Sequence, residues 1–125
     1  MRKHITLIRC TYKIIGVGIL LSLTFLGYGQ ASAKLSFHKG FHLLTLDKDE
    51  ALKHLSESIR LDSTNAESYY YRGLVNYKLE KNEEALQDFN SALKYDSALS
   101  IVYIYKGFVY RNLGDINKAV TEFNV

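Results

Sequence analysis

Three alanines, Ala51, Ala85 and Ala119, stand 34 residues apart, and much of the chain around them repeats at the same interval. Gly73 and Gly107 fall in register, as do Tyr69 and Tyr103, Leu79 and Leu113, Phe89 and Phe123, and Asp62 and Asp96. Gly40 precedes Gly73 by 33, so the first copy has one residue fewer between its glycine and its alanine. A fixed period of roughly 20–50 residues marks a solenoid, in which each unit buries its apolar face against its neighbours.

Each copy reads as two helices joined by a tight turn. The expected pairs are residues 34–46 with 49–61, 66–80 with 82–95, and 100–113 with 116–125. The first helix of each pair carries a glycine near its middle, at Gly40, Gly73 or Gly107. Glycine there costs about 1 kcal/mol against alanine, so close approach of a second helix is expected in compensation. The second helix opens on the small residue of the register. It continues as a stripe, Ala85, Phe89, Ala92 and Leu93 in the middle copy and Ala51, Leu55 and Ile59 in the first. Those spacings place the residues on one helical face. Asp47 with Glu50, and Thr64 with Glu67, have capping-box spacing and predict two helix starts. Glu83 and Glu84 suit the positive end of a helix dipole.

These copies resemble the tetratricopeptide repeat, a 34-residue helix–turn–helix unit. Its aromatic, Gly, Leu-Gly, Ala, aromatic, Ala pattern falls on Tyr69, Gly73, Leu79, Ala85, Phe89 and Ala92 in the middle copy. The last copy supplies Tyr103, Gly107, Tyr110, Leu113, Gly114, Ala119 and Phe123. The first copy matches least, with Ser36 at the aromatic position, and Ser63 and Ser97 replace the closing proline. The resemblance covers about residues 33–125 and implies an all-α solenoid of three repeats, with copies at about 33–65, 66–99 and 100–125. It also implies a concave groove lined by side chains of each first helix. By register these are Phe37, His38 and Phe41, then Tyr70, Tyr71, Leu74, Tyr77 and Lys78, then Ile104, Tyr105, Phe108, Arg111 and Asn112. Tyr69 and Tyr103 are assigned to packing. Such a groove takes an extended peptide or a helix as its protein partner. Tyrosine, with an apolar body and a polar tip, suits that task. Some family members grip a chaperone's C-terminal carboxylate with Lys, Asn and Arg. The matching places here hold Phe37, Phe41, Tyr71, Ile101 and Tyr105, which argues against that ligand.

The first 33 residues differ in kind. Arg2, Lys3, Arg9 and Lys13 precede the apolar run Ile14–Leu26, and Ala31-Ser32-Ala33 follows it. Basic residues, about 7–15 apolar residues and then small ones form the layout of a secretory signal peptide. The run falls short of the roughly 20 residues of a membrane-spanning helix. Cleavage after Ala33 is expected, with a second candidate bond near Gly29-Gln30 and an uncleaved anchor as the competing reading. Export to a bacterial periplasm or beyond follows as an expectation. Membrane contact is expected only through this segment. Cys10 precedes the apolar run, which argues against a lipidated cysteine, and the repeats hold no cysteine for a disulfide.

The formal charge of +3 comes from that leader. Without it, twelve basic residues face thirteen acidic ones, and no electrostatic case for nucleic acid remains. His38 and His42 lie four apart on one helix face, yet no Cys, Asp or Glu nearby completes a metal set. No nucleophile–base arrangement is legible, so neither an enzyme nor a cofactor is expected. His54 reads as surface. Asn117 to Val125 gives about two and a half helical turns with no polar helix behind it. Val109, Val120 and Phe123 are therefore expected on an open edge. That edge would continue in a longer array, pair with a second copy, or mark a shortened product, the first being favoured.

Overall fold

The computed structural model describes the backbone of residues 2–125 and the side chains of Ile19 and residues 21–125. The leader's basic residues, Cys10 and the first part of the apolar run lie outside the described side chains. The fold is all-α: six helices in series, with no strand among the described residues. They are α1 (Arg2–Leu43), α2 (Lys48–Leu61), α3 (Ala66–Lys78), α4 (Asn82–Tyr95), α5 (Ser100–Asn112) and α6 (Ile116–Phe123). Short turns pair α1 with α2, α3 with α4 and α5 with α6, and the pairs stack in chain order. Leader and first repeat helix form one uninterrupted helix, α1. The first repeat helix ends at Leu43, three residues before the expected limit. Among the described residues no helix is long and apolar enough to cross a membrane.

The glycines explain how the paired helices meet. A Cβ on Gly73 would lie 2.8 Å from Cε1 and 2.9 Å from Cδ1 of Phe89. One on Gly40 would lie 2.7 Å from Cγ of Leu55, and one on Gly107 would run into the Phe123 ring. The glycine is a notch, and the large side chain of the facing helix fills it. Ala51 and Ala85 are fully buried and Ala119 nearly so, which lets the same helices close along their length. Two clusters result. One is Ala85, Phe89, Ala92, Val102 and Val109; the other is Ala51, Leu55 and Val75. Val109 is therefore core and not open edge: α5 turns it onto α4, whereas Val120 and Phe123 are exposed.

The helix ends follow local chemistry. Asp47 caps α2 as its spacing predicts, accepting from the backbone N–H of Asp49 and Glu50. Thr64 does not cap α3. Its N–H and hydroxyl both donate to Asp62 at 3.0 and 2.7 Å, and Asn65 caps instead by accepting from Ser68 N–H. Helices α3 and α5 close with the same turn. The N–H of Lys81 donates to Asn76 and that of Asp115 to Tyr110, while Glu80 and Gly114 donate one turn back. This Schellman geometry needs a left-handed residue. Gly114 takes it at φ 81°, but Glu80 takes it at φ 60°, where a Cβ costs roughly 1–2 kcal/mol. Glu80→Gly is therefore expected to stabilise the fold by about 1 kcal/mol, net of the greater freedom of the unfolded chain. Urea melts of the two proteins check it, and an unchanged or lower midpoint would contradict it.

Candidate functional site

With their notches turned toward the facing helices, α1, α3 and α5 leave aromatic side chains along a shared side. Phe37 stacks on Phe41 at 6.3 Å between ring centres, and Phe41 meets Tyr71 edge-on at 5.0 Å. Tyr71 touches Tyr70 at 4.8 Å, and Tyr70 reaches Tyr105 at 6.0 Å. Tyr105 meets Phe108 at 5.9 Å and Tyr77 at 5.9 Å. Seven of the register-predicted groove residues thus form one connected series across three helices. Such pairs prefer these offset and edge-on geometries.

The series is both roof and surface. Tyr70, Tyr77 and Tyr105 pack on the Ala85–Phe89 cluster, and Phe37 and Tyr71 on the Leu55–Val75 cluster. Phe41 is 43% exposed and Ile104 42% exposed. Leu74 is half-buried; His38, Lys78, Arg111 and Asn112 are exposed. Arg111 lies over the Phe108 ring at 5.1 Å, so the strip carries a cation beside its apolar surface. Near its α1 end a cleft of about 300 Å³ is lined by Lys34, Phe37, His38, Asp62, Asn65 and Glu67. A larger cavity of about 600 Å³ lies away from the strip, where Phe25 and Tyr28 of α1 approach Arg60 and Leu61 of α2. Tyr69 stacks on Tyr95 at 5.7 Å and donates to the Ser63 carbonyl, a packing role. Tyr103 is half-buried beneath the Lys106 ammonium.

His38 and His42 sit against the edges of Phe37 and Phe41. No group of three metal-binding side chains occurs among the described residues. His54 is half-buried rather than surface, because it lies on the α2 flank turned toward Glu50, 3.8 Å away.

Sequence reasoning missed an ion-pair register beside the glycines. Arg72 donates to both oxygens of buried Asp88 at 3.0 and 2.6 Å, Asn76 adds a third bond, and Arg72 also reaches Ser56 of the preceding repeat. One copy later Lys106 meets Glu122 at 2.9 Å. The first copy holds Lys39 and His54 at these places. The charge signs at positions 72 and 106, and at 88 and 122, repeat at 34 and were the available signal. A second buried link ties α1 and α2 of the first repeat to α3 of the second. The Ser58 hydroxyl donates to the carbonyl of buried Ala33 at 3.0 Å and lies 2.9 Å from Ser68 Oγ.

Burial, with the neighbouring Tyr105 and Tyr71 phenols, pushes the Tyr70 hydroxyl from 10.0 up to about 12. Below pH 10 the phenol is neutral in folded and unfolded chains alike. Between pH 10 and 12 the unfolded chain ionises there and the folded chain does not, so stability falls as pH rises. Tyr70→Phe is expected to flatten that fall, measured by urea melts at pH 9 and 11. A decline parallel to that of the unaltered protein would contradict the assignment.

A family model described as "TPR repeat" matches residues 47–80, and one described as "Tetratricopeptide repeat" matches residues 66–99. No curated protein matches the chain in sequence. Among solved structures it is similar to the second TPR of Spaghetti (RPAP3) bound to the HSP90 peptide SRMEEVD. That likeness has 24% identity and a TM-score of 0.76, over 81% of this chain and 94% of that one. The Arabidopsis OM64 TPR domain matches at 22% identity and a TM-score of 0.74, over 77% and 80% of the two chains. A MamA structure matches at 22% identity and a TM-score of 0.70, over 74% of this chain and 54% of that one. The chain thus spans about half the length of the MamA chain. At these identities the likeness is one of fold.

Proposed function

The chain is a tetratricopeptide-repeat protein, matched by family models over residues 47–99, and from that premise we propose a non-catalytic module that docks a peptide or helix on its aromatic strip. The carrying observation is the continuity of the Phe37–Phe41–Tyr71–Tyr70–Tyr105–Phe108 series across α1, α3 and α5. An extended partner can lay apolar side chains against successive rings while Tyr hydroxyls and Arg111 meet its polar groups. The peptide held by the Spaghetti neighbour is acidic at its end. Here the five places that match the carboxylate grip carry Phe37, Phe41, Tyr71, Ile101 and Tyr105, so the favoured ligand is apolar or aromatic.

In this reading the module works outside the cytoplasm, with residues 1–33 as its export signal or anchor. Ala33 is 2% exposed and its carbonyl accepts from Ser58, so cleavage near Gly29-Gln30 would keep this contact and cleavage after Ala33 would remove it.

Tyr71 and Tyr105 support the core as well as the strip, so Phe41→Ala and Ile104→Glu test the groove more cleanly. Peptides selected on the full chain from a displayed library are expected to be rich in Leu, Phe and Tyr. Each variant is expected to bind them at least tenfold more weakly, about 1.4 kcal/mol, with helix content unchanged. Undiminished binding, or selected peptides that require a free C-terminal carboxylate, would contradict the reading. The intact mass of protein exported by a bacterial host reports the cleavage bond, and retention in the cytoplasm would refute export.

A further inference from the structure

Charge is unevenly spread over the helices that carry the aromatic strip. In α3, Glu67, Tyr71, Leu74 and Lys78 recur at helical spacing, and in α5 Ile101, Ile104, Phe108 and Arg111 do the same. Each set therefore shares one side of its helix. Tyr71 and Phe108 belong to the strip, so Lys78 and Arg111 stand on its side, in the last turns of α3 and α5. Both are exposed. They also adjoin its rings. Tyr77, next to Lys78, meets Tyr105, Tyr105 meets Phe108, and Arg111 lies over Phe108 at 5.1 Å.

The other two cations of these helices are already matched. Arg72 is held by Asp88 at 2.6 Å and Lys106 by Glu122 at 2.9 Å. The ion pairs among the described residues include neither Lys78 nor Arg111. Helix α5 carries no acid. The one acid of α3, Glu67, lies eleven residues from Lys78, about 16 Å along the axis. There it shares the cleft at the α1 end with Lys34 and Asp62. Glu80, Glu83 and Glu84 gather with Lys81 and Leu113 in a separate cleft on the turn beyond α3. A cation in a last turn offsets the helix dipole, which accounts for its place along the helix but not for the side it takes.

We propose that the partner of the strip is an acidic peptide, whose internal Asp or Glu side chains pair with Lys78 and Arg111 while its apolar side chains lie on the rings. The inference rests on the docking reading above. It adds the partner's charge and the end of the strip at which that charge is read. The carboxylates concerned are those of side chains and not of a chain terminus, and they are met outside the five places that match the carboxylate grip.

Fluorescence anisotropy on the full chain tests the proposal. Three peptides, capped at both ends, share the Leu, Phe and Tyr positions of a library-selected binder and carry Glu, Gln or Lys at the positions between. At about 0.05 M salt the Glu peptide is expected to bind at least threefold more tightly than the Gln peptide, and the Lys peptide at least threefold more weakly, the scale of two exposed ion pairs. The spread is expected to close at about 1 M salt, where screening acts within about 3 Å. In the Lys78→Gln/Arg111→Gln variant the Glu and Gln peptides are expected to bind alike, and in Lys78→Glu/Arg111→Glu the Lys peptide is expected to bind first. Circular dichroism checks the fold of the variants, and the peptide order and salt response of the unaltered protein stand without them. A smaller spread in the unaltered protein would overturn the proposal, as would a preference for Glu that survives Lys78→Gln/Arg111→Gln. Either result leaves the Gln peptide bound to the rings and the docking reading intact. Failure of all three peptides to bind would remove the docking reading and this inference with it.

Discussion

The contact between a helix glycine and the large side chain opposite it sets the geometry of every repeat. At Gly73 the Phe89 ring occupies space that any Cβ would need, and Leu55 does the same at Gly40. Because the helices close to this distance, small residues must line the rest of the seam, and Ala51, Ala85, Ala92 and Ala119 do so. The polar groups trapped beside the seam must then be satisfied in place. Asp88 is held by Arg72 and Asn76, and Ser58 is linked to Ser68 and the Ala33 carbonyl. Unpaired, such buried groups would each cost about 1–3 kcal/mol or more, so the polar links are conditions of the close packing rather than additions to it.

The aromatic strip is a consequence of the same arrangement. A helix that gives its small face to its partner has its bulky side chains left for the next repeat and for the aromatic strip. Tyr70 and Tyr105 show the division, resting on the Phe89 ring while touching each other across the repeat boundary. The strip is therefore stiff where it is half-buried and adaptable at Phe41, Ile104 and Arg111, where it meets solvent. In the proposed docking role, stiff aromatic anchors with a polar margin would limit the side-chain entropy lost on binding.

The 34-residue register made most of this legible before any coordinates. Glycine notches, alanine seams and five of the six helices within about two residues follow from it, and the aromatic positions of the strip follow from the tetratricopeptide resemblance that the register carries. What escaped depends on which of two near-equivalent groups wins locally. Thr64 and Asn65 both suit a helix start, and Asp62 decides by engaging Thr64. Val109 and Val120 both looked like edge residues, yet only three-dimensional stacking separates an incoming face from a receiving one. The Arg72–Asp88 pair joins residues of opposite sign 16 apart, a spacing that no single-helix pattern highlights. The packing of Ala33 was not legible, because small residues read alike as a cleavage motif and as a packing position.

Gly73→Ala measures the central constraint most directly, because helix propensity and packing predict opposite signs. Alanine in a helix interior is favoured over glycine by about 1 kcal/mol when nothing stands in its way. With Phe89 where it is, the added methyl must displace a fully buried ring, and overpacking of this kind typically costs about 1–3 kcal/mol. A urea melt of Gly73→Ala in the full chain is therefore predicted to show a lower midpoint than the unaltered protein. An equal or higher midpoint would mean that the helices are not held at the distance described, and that the notch is not what organises the repeats.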